Sequence, residues 1–119
     1  MSDAPTPATP LELLPGTADV LVLQTLAWGP MHGFAVASWI RSRTDGVLAL
    51  EDAPLYKSLH RLERQGFLAA SWGLSDHNRR ARYYELTAAG RAQLGAATTT
   101  WRQYVAAVFK VLDPAGAAS

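Results

Sequence analysis

Residues 52–66, with the sequence DAPLYKSLHRLERQG, decide the fold of this chain. Asp52 is a good N-capping residue type, Pro54 is tolerated in the first turn of a helix, and Gly66 stands where a C-terminal cap is expected. Between them, three leucines repeat at i, i+4 and i+7, a spacing that places them on one face of a helix. These are Leu55, Leu59 and Leu62. The segment is therefore predicted to be a helix with one buried face.

The same predicted helix carries a stripe of cations opposite its leucines. The stripe consists of Lys57, Arg61 and Arg64. His60 lies beside it, and each cation taken alone is most simply a solvated helix charge or the partner of Glu63 or Asp52. Taken together, the stripe offers a row of cations to a partner outside the fold.

Two helices are predicted before this segment. Thr17 is expected to cap a buried helix over about 18–28, which the Gly-Pro pair at 29–30 ends. A second helix is expected to begin near Gly33 and to end before the turn-forming Asp-Gly pair at 45–46. The cationic helix is therefore the third in the chain.

Two strands are predicted after the cationic helix. Residues 67–72 and 82–86 read as strands, and the Gly, Ser, Asp and Asn residues between them are turn formers. The pair is therefore predicted to form a hairpin. Its tip and return strand carry three further cations, Arg79, Arg80 and Arg82.

A long helix over about 88–112 is predicted to end the fold, capped by Thr87 and stopped before Pro114. Its apolar residues follow spacings of seven, four, three and four, which is close to a heptad seam. They are Leu94, Trp101, Val105, Val108 and Leu112. An exposed apolar seam is unfavourable in water, so we expect this helix to form a homodimer.

Composition favours a single small domain with localised positive charge. The chain has 119 residues and a net charge of +1, yet residues 53–82 hold six cationic side chains against two carboxylates. It contains no cysteine, which excludes disulfides and thiolate zinc sites. The lack of an apolar run of roughly 18 residues and of a basic, then apolar, N-terminus predicts a cytoplasmic protein with no membrane partner.

The order of elements predicts a mainly α fold with a small β-hairpin: a winged helix-turn-helix followed by a long C-terminal dimerisation helix. We expect a disordered tail at 1–13, the winged helix-turn-helix at 14–86, the dimerisation helix at 87–113 and a frayed tail at 114–119. An α-helix fits the major groove of DNA, and a basic hairpin suits an adjacent phosphate or a narrow minor groove. The predicted partner is therefore double-stranded DNA. The predicted contacts are Tyr56, Lys57, Ser58, His60, Arg61, Arg64, Arg79, Arg80 and Arg82.

Three groups of motifs resemble those of the PadR family of bacterial transcriptional regulators. The first is LPGT at 14–17, VLQTL at 22–26 and MHGF at 31–34. The second is LY at 55–56 with LHRLER at 59–64 and Gly66. The third is WG at 72–73, NRRARYY at 78–84 and LTAAG at 86–90. The resemblance runs from residue 14 to about 112.

The resemblance implies a winged-helix fold, a dimer made by the last helix and repression at a two-fold operator. The sequence departs from the family pattern at Pro54 and Lys57, which flank the Leu-Tyr pair where the family has a small residue and often a proline. The operator sequence is therefore not carried over. Some PadR-type regulators also bind a flat aromatic effector beside an aromatic residue of the last helix, which makes Trp101 a candidate effector contact as well as a packing residue.

Other functions find less support in the sequence. A metal site would need His32, His60 and His77 to converge, and no HxxxH-type spacing supports one, so no metal or cofactor is expected. The chain has no G-x-S-x-G elbow, Walker A motif or Gly-rich nucleotide loop, so no enzyme activity is expected. The alternative is a winged-helix module that binds another protein, which strong salt dependence of DNA binding would exclude.

Overall fold

The computed structural model describes residues 10–113 of the chain. Its helices and strands are α1 (Thr17–Leu26), β1 (Met31–His32), α2 (Gly33–Arg43), α3 (Asp52–Arg64), β2 (Leu68–Leu74), β3 (Arg80–Leu86) and α4 (Ala88–Leu112). This order confirms the predicted winged helix-turn-helix with a long last helix. The two strands of the hairpin are longer than predicted, because their backbone pairing extends towards the tip.

The three strands form one small antiparallel sheet in the order β1-β3-β2. The hairpin of β2 and β3, here called the wing, pairs Leu68 with Leu86 at its base and Leu74 with Arg80 near its tip. The two-residue strand β1 pairs with β3 beside Tyr83 and Tyr84. Strand β1 was not predicted from the sequence, because two residues carry no periodicity.

The helices and the sheet share one apolar core. Leu55 and Leu59 of α3 are 1% and 0% exposed, and Leu62 is 2% exposed, which confirms the predicted buried face. The other buried apolar residues described are Val22, Leu23, Leu26, Val36, Ile40, Leu50, Leu68, Tyr84 and Leu86. This core fixes α3 against α1, α2 and the base of the wing.

Two of the predicted N-terminal helix caps are wrong and one is confirmed. Helix α1 is capped by Gly16 at φ 85°, and Thr17 is its first residue, with a buried side chain. Helix α3 is capped by Glu51, because Asp52 already lies inside the first turn. The Thr87 hydroxyl accepts a hydrogen bond from the Gly90 amide at 3.0 Å and caps α4 as predicted.

Residues of the predicted tail make defined contacts with the rest of the fold. Within the predicted tail, the Leu11 amide donates to the Val47 carbonyl at 2.8 Å, and Leu13 packs against the core. The segment before α3 is therefore tied to residues that the composition had assigned to a tail. The rest of that predicted tail, residues 1–9, and the predicted frayed end at 114–119 lie outside the described residues.

Helix α4 starts on the body of the fold, which consists of α1, α2, α3 and the sheet, and then projects from it. A single residue, Thr87, separates β3 from α4, and its amide and hydroxyl donate to the carbonyls of Phe67 and Gly66 at 3.1 and 2.7 Å. Leu94 still packs against the core, whereas residues 101–112, here called the outer half of α4, hold no buried residue. The radius of gyration is 16.5 Å, above the value of about 13 Å expected for a compact chain of this size.

Candidate nucleic-acid interface

The outward face of α3 presents cations that no other part of the described chain engages. Lys57 and Arg64 are exposed and lie about half a turn from the buried leucines. Within residues 10–113, neither side chain has an ion-pair partner. Both are therefore available to a ligand outside the molecule.

One flank of α3 is bonded to α1 through Asp19. The Ser58 hydroxyl donates to Asp19 Oδ1, while Arg61 donates from Nη2 to Oδ1 and from Nε to Oδ2, the latter at 3.1 Å. Ser58 is fully buried. The hydrogen bond to Asp19 raises the pKa of Arg61 above its already high ordinary value, in spite of partial desolvation. Asp19, in the first turn of α1, is therefore an anchor for α3.

The other flank of α3 is bonded to the wing. Arg82 on β3 donates from Nη2 to Glu63 Oε2 at 2.7 Å. The Arg82 guanidinium also lies 5.7 Å from the ring centre of the buried Tyr84. Glu63 was expected to pair only with cations on its own helix, whereas its partner Arg82 is 19 residues away.

The tip of the wing is a short turn stabilised by Ser75. The Ser75 amide donates to the Arg79 carbonyl at 2.8 Å, and Asn78 adopts a left-handed φ of 58°. The Arg80 guanidinium lies 4.3 Å from the centre of the exposed Trp72 ring, in a cation–π contact. Arg79 and Arg80 are thereby presented at the end of a defined hairpin.

An open groove of about 1160 Å³ separates the wing from α2 and α3. Its lining includes Ser38 from α2, Tyr56 and His60 from α3, and Trp72 and Arg80 from the wing. A Cβ atom on Gly33 would stand 2.7 Å from the Tyr56 hydroxyl, so glycine is needed there for Tyr56 to lie against α2. The groove thus combines cations with aromatic rings between two projecting elements.

The predicted contact residues fall into two sets. The side chains of the first set are exposed on α3 and the wing, and we call them the basic face: Tyr56, Lys57, His60, Arg64, Arg79 and Arg80. The second set has partners inside the chain: Ser58, Arg61 and Arg82. Contact with DNA stays a prediction for both sets.

The three histidines do not form a metal site. Among residues 10–113, no three histidine, aspartate or glutamate side chains are placed to hold a metal ion together. His32 instead caps α2, because its Nδ1 accepts from the Ala35 amide at 3.1 Å.

None of the helices described between residues 10 and 113 has the length and apolar character needed to cross a membrane.

Comparison with known proteins identifies the family. The family model for "Transcriptional regulator PadR-like family" matches residues 22–96, which run from within α1 into the first half of α4. The chain belongs to the PadR-like family. The resemblance seen in the motifs at residues 14–90 is thereby confirmed.

Solved structures show the same PadR-like fold. A PadR family regulator from Eggerthella lenta is 31% identical, with a TM-score of 0.68 over 83% of this chain and 84% of that one. A transcriptional regulator from Clostridium thermocellum is 25% identical, with a TM-score of 0.73 over 80% of this chain and 89% of that one. Bacillus subtilis PadR in complex with operator DNA is 18% identical, with a TM-score of 0.62 over 70% of this chain and 47% of that one.

The predicted dimerisation residues of this PadR-like chain differ in exposure. Leu94 packs on the body; Trp101, Val105 and Val108 are half-buried, and Leu112 is 65% exposed. The outer half carries three further exposed apolar side chains that the predicted seam does not include: Tyr104, Phe109 and Val111. At about 100° per residue the apolar arc spans about 160°, wider than the predicted seam. The heptad spacing excludes Tyr104, Phe109 and Val111, although on a helical wheel all three lie on the same apolar arc as the predicted seam.

Proposed function

We propose that this PadR-like chain is a sequence-specific DNA-binding repressor that acts as a homodimer on a two-fold operator in the bacterial cytoplasm. The observation that carries the proposal is the basic face, where unpaired cations on α3 stand beside a basic wing tip. The operator complex of Bacillus subtilis PadR, which has the same fold, supports this assignment.

The cations of α3 and those of the wing are each suited to a different part of a DNA duplex. Lys57 and Arg64 project from α3 and are suited to phosphates or guanine edges in a major groove, while Arg79 and Arg80 reach from the wing towards neighbouring phosphates. The Tyr56 hydroxyl and His60 line the groove between these two elements and complete the proposed contact surface.

The dimer accounts for the outer half of α4. Its exposed apolar side chains need a second surface, and a two-fold partner supplies an identical one. Such a dimer presents two α3 helices to successive major-groove segments, roughly 34 Å apart.

A genomic pull-down tests the proposal. Purified protein is mixed with sheared DNA from its source and washed at about 150 mM salt, which removes much non-specific binding. We expect a few fragments that share an inverted repeat. Equal recovery of all fragments contradicts a sequence-specific regulator and indicates a non-specific binder. Recovery of none indicates a ligand-gated state or the protein-interaction alternative.

Relief of repression by a small aromatic effector is proposed at Trp101. The Trp101 ring stacks on Tyr104, with centroids 6.0 Å apart and planes at 26°, on the outer half of α4. A flat ligand between two such pairs would stack in the same manner. Titration with planar aromatic compounds should quench tryptophan fluorescence saturably in the wild type and not in Trp101→Ala. Equal quenching in both proteins would exclude this residue as the contact.

A further inference from the structure

Helix α3 is held on both flanks by side chains that sequence analysis had assigned to DNA. Ser58 and Arg61 are one turn apart and bind the same carboxylate of α1, while Glu63 binds Arg82 of the wing. On a helical wheel Arg61 and Glu63 lie about 160° apart. Lys57 and Arg64 lie in the sector between them.

The Asp19 contacts define the orientation of α3 relative to α1. A planar guanidinium that binds both oxygens of one carboxylate fixes their relative orientation as well as their distance. Ser58 adds a bond from a fully buried hydroxyl, which has no access to water as a replacement partner. Asp19 is therefore bonded to α3 at two successive turns, and rotation of α3 would break these bonds.

We propose that Asp19 and Glu63 are positioning residues for DNA recognition, and that Arg61 and Arg82 position α3 and the wing instead of neutralising phosphates. The counterions released from the DNA on binding are then those displaced by Lys57, Arg64, Arg79 and Arg80. This inference rests on the proposed DNA binding, and it divides six cations that look alike in the sequence into two classes.

Salt dependence separates the two classes. The logarithm of the binding constant falls linearly with the logarithm of salt concentration, with a slope of about 0.9 for each phosphate neutralised. Because a dimer carries each residue twice, Arg64→Gln should reduce the slope by about 1.8. Arg61→Gln and Arg82→Gln should weaken binding without a comparable change of slope. The probes are the fragment recovered by the pull-down and a mixed-sequence duplex of about three helical turns.

A charge-conserving variant separates the loss of geometry at position 61 from the loss of charge. Arg61→Lys retains the charge and loses the planar fork, so we expect it to bind DNA as weakly as Arg61→Gln. Ser58→Ala removes no charge and should also weaken binding at an unchanged slope. The inference is overturned if Arg61→Lys binds DNA as tightly as the wild type does, while the salt slope of Arg61→Gln falls as much as that of Arg64→Gln.

Unfolding measurements test the Asp19 contact without DNA. In a double-mutant cycle of Asp19→Asn and Arg61→Gln, the effect of the double mutant on the unfolding constant should differ from the product of the two single effects by about fivefold or more. Additive effects would overturn the positioning role. A wild-type chain that binds neither probe in a salt-dependent manner would instead refute the proposed function, while the cycle would still decide whether Asp19 anchors α3.

Discussion

The body of the fold and the outer half of α4 differ in how far their apolar side chains are buried. In the body, leucines such as Leu59 are fully buried, whereas Phe109 and Val111 of the outer half are 59% and 82% exposed. The body therefore has a core of its own. The outer half gains no comparable burial within one chain, which is the physical reason to assign it to contacts between chains.

The largest expected effect comes from placing a charge on the outer half. Val105→Asp should convert the proposed dimer to a monomer, because an unpaired carboxylate cannot be buried against an apolar partner. Loss of one of two half-sites should lower operator affinity by about a thousandfold or more. Sedimentation and operator titration measure the two effects. Gln103→Asp, about 160° away on the same helix, is the matched control, and a stable dimer of Val105→Asp would disprove the seam.

A truncation in each region compares their contributions to folding. Leu59→Ala should lower the free energy of unfolding by about 3 kcal/mol, since it leaves a cavity in the core. Val111→Ala should change that of the dissociated monomer by no more than about 0.5 kcal/mol. Urea unfolding at low protein concentration gives both values. Equal losses would show that the outer half packs on the body.

Two glycines of α4 sharpen the boundary between the regions. A Cβ atom on Gly90 would lie 2.0 Å from the Phe67 carbonyl oxygen, while one on Gly95 would meet no atom within 4 Å. Gly90→Ala should therefore destabilise by about 1–3 kcal/mol. Gly95→Ala should stabilise the helix by about 0.5–1 kcal/mol. Thermal unfolding measures both, and destabilisation by Gly95→Ala would place the boundary further along the helix.

The smallest effect is a pH dependence confined to the body. Burial raises the pKa of the Tyr84 phenol above its ordinary value of 10.0. The unfolded chain then loses this proton first, so the contribution to stability is full below about pH 10 and declines as pH rises through the folded pKa. Urea unfolding between about pH 9 and about pH 11 should show this decline in the wild type and in the control Tyr104→Phe. An unchanged decline in Tyr84→Phe would assign it to another group.

The sequence predicted what depends on neighbours along the chain and missed what depends on distant contacts. The leucine face of α3, the Thr87 cap and the bounds of α4 follow from local spacing, and all are observed. The bond between Asp19 and Arg61 spans 42 residues, and that between Glu63 and Arg82 spans 19. No periodicity encodes such pairs, so Arg61 and Lys57 looked equivalent until α1 and α3 were placed side by side.

The one-residue connection at Thr87 places the start of α4 beside the end of α3, so a small tilt of α4 at this point moves its far end by a larger distance. The one-residue connection is bonded through Thr87 to the carbonyls of Gly66 and Phe67, directly after α3. A helix of 25 residues is about 37 Å long, so a tilt of only about 5° at Thr87 displaces its far end by about 3 Å. In the proposed dimer, a small displacement between the far ends of the two paired α4 helices would therefore accompany a small rotation of the wing and α3 in both subunits.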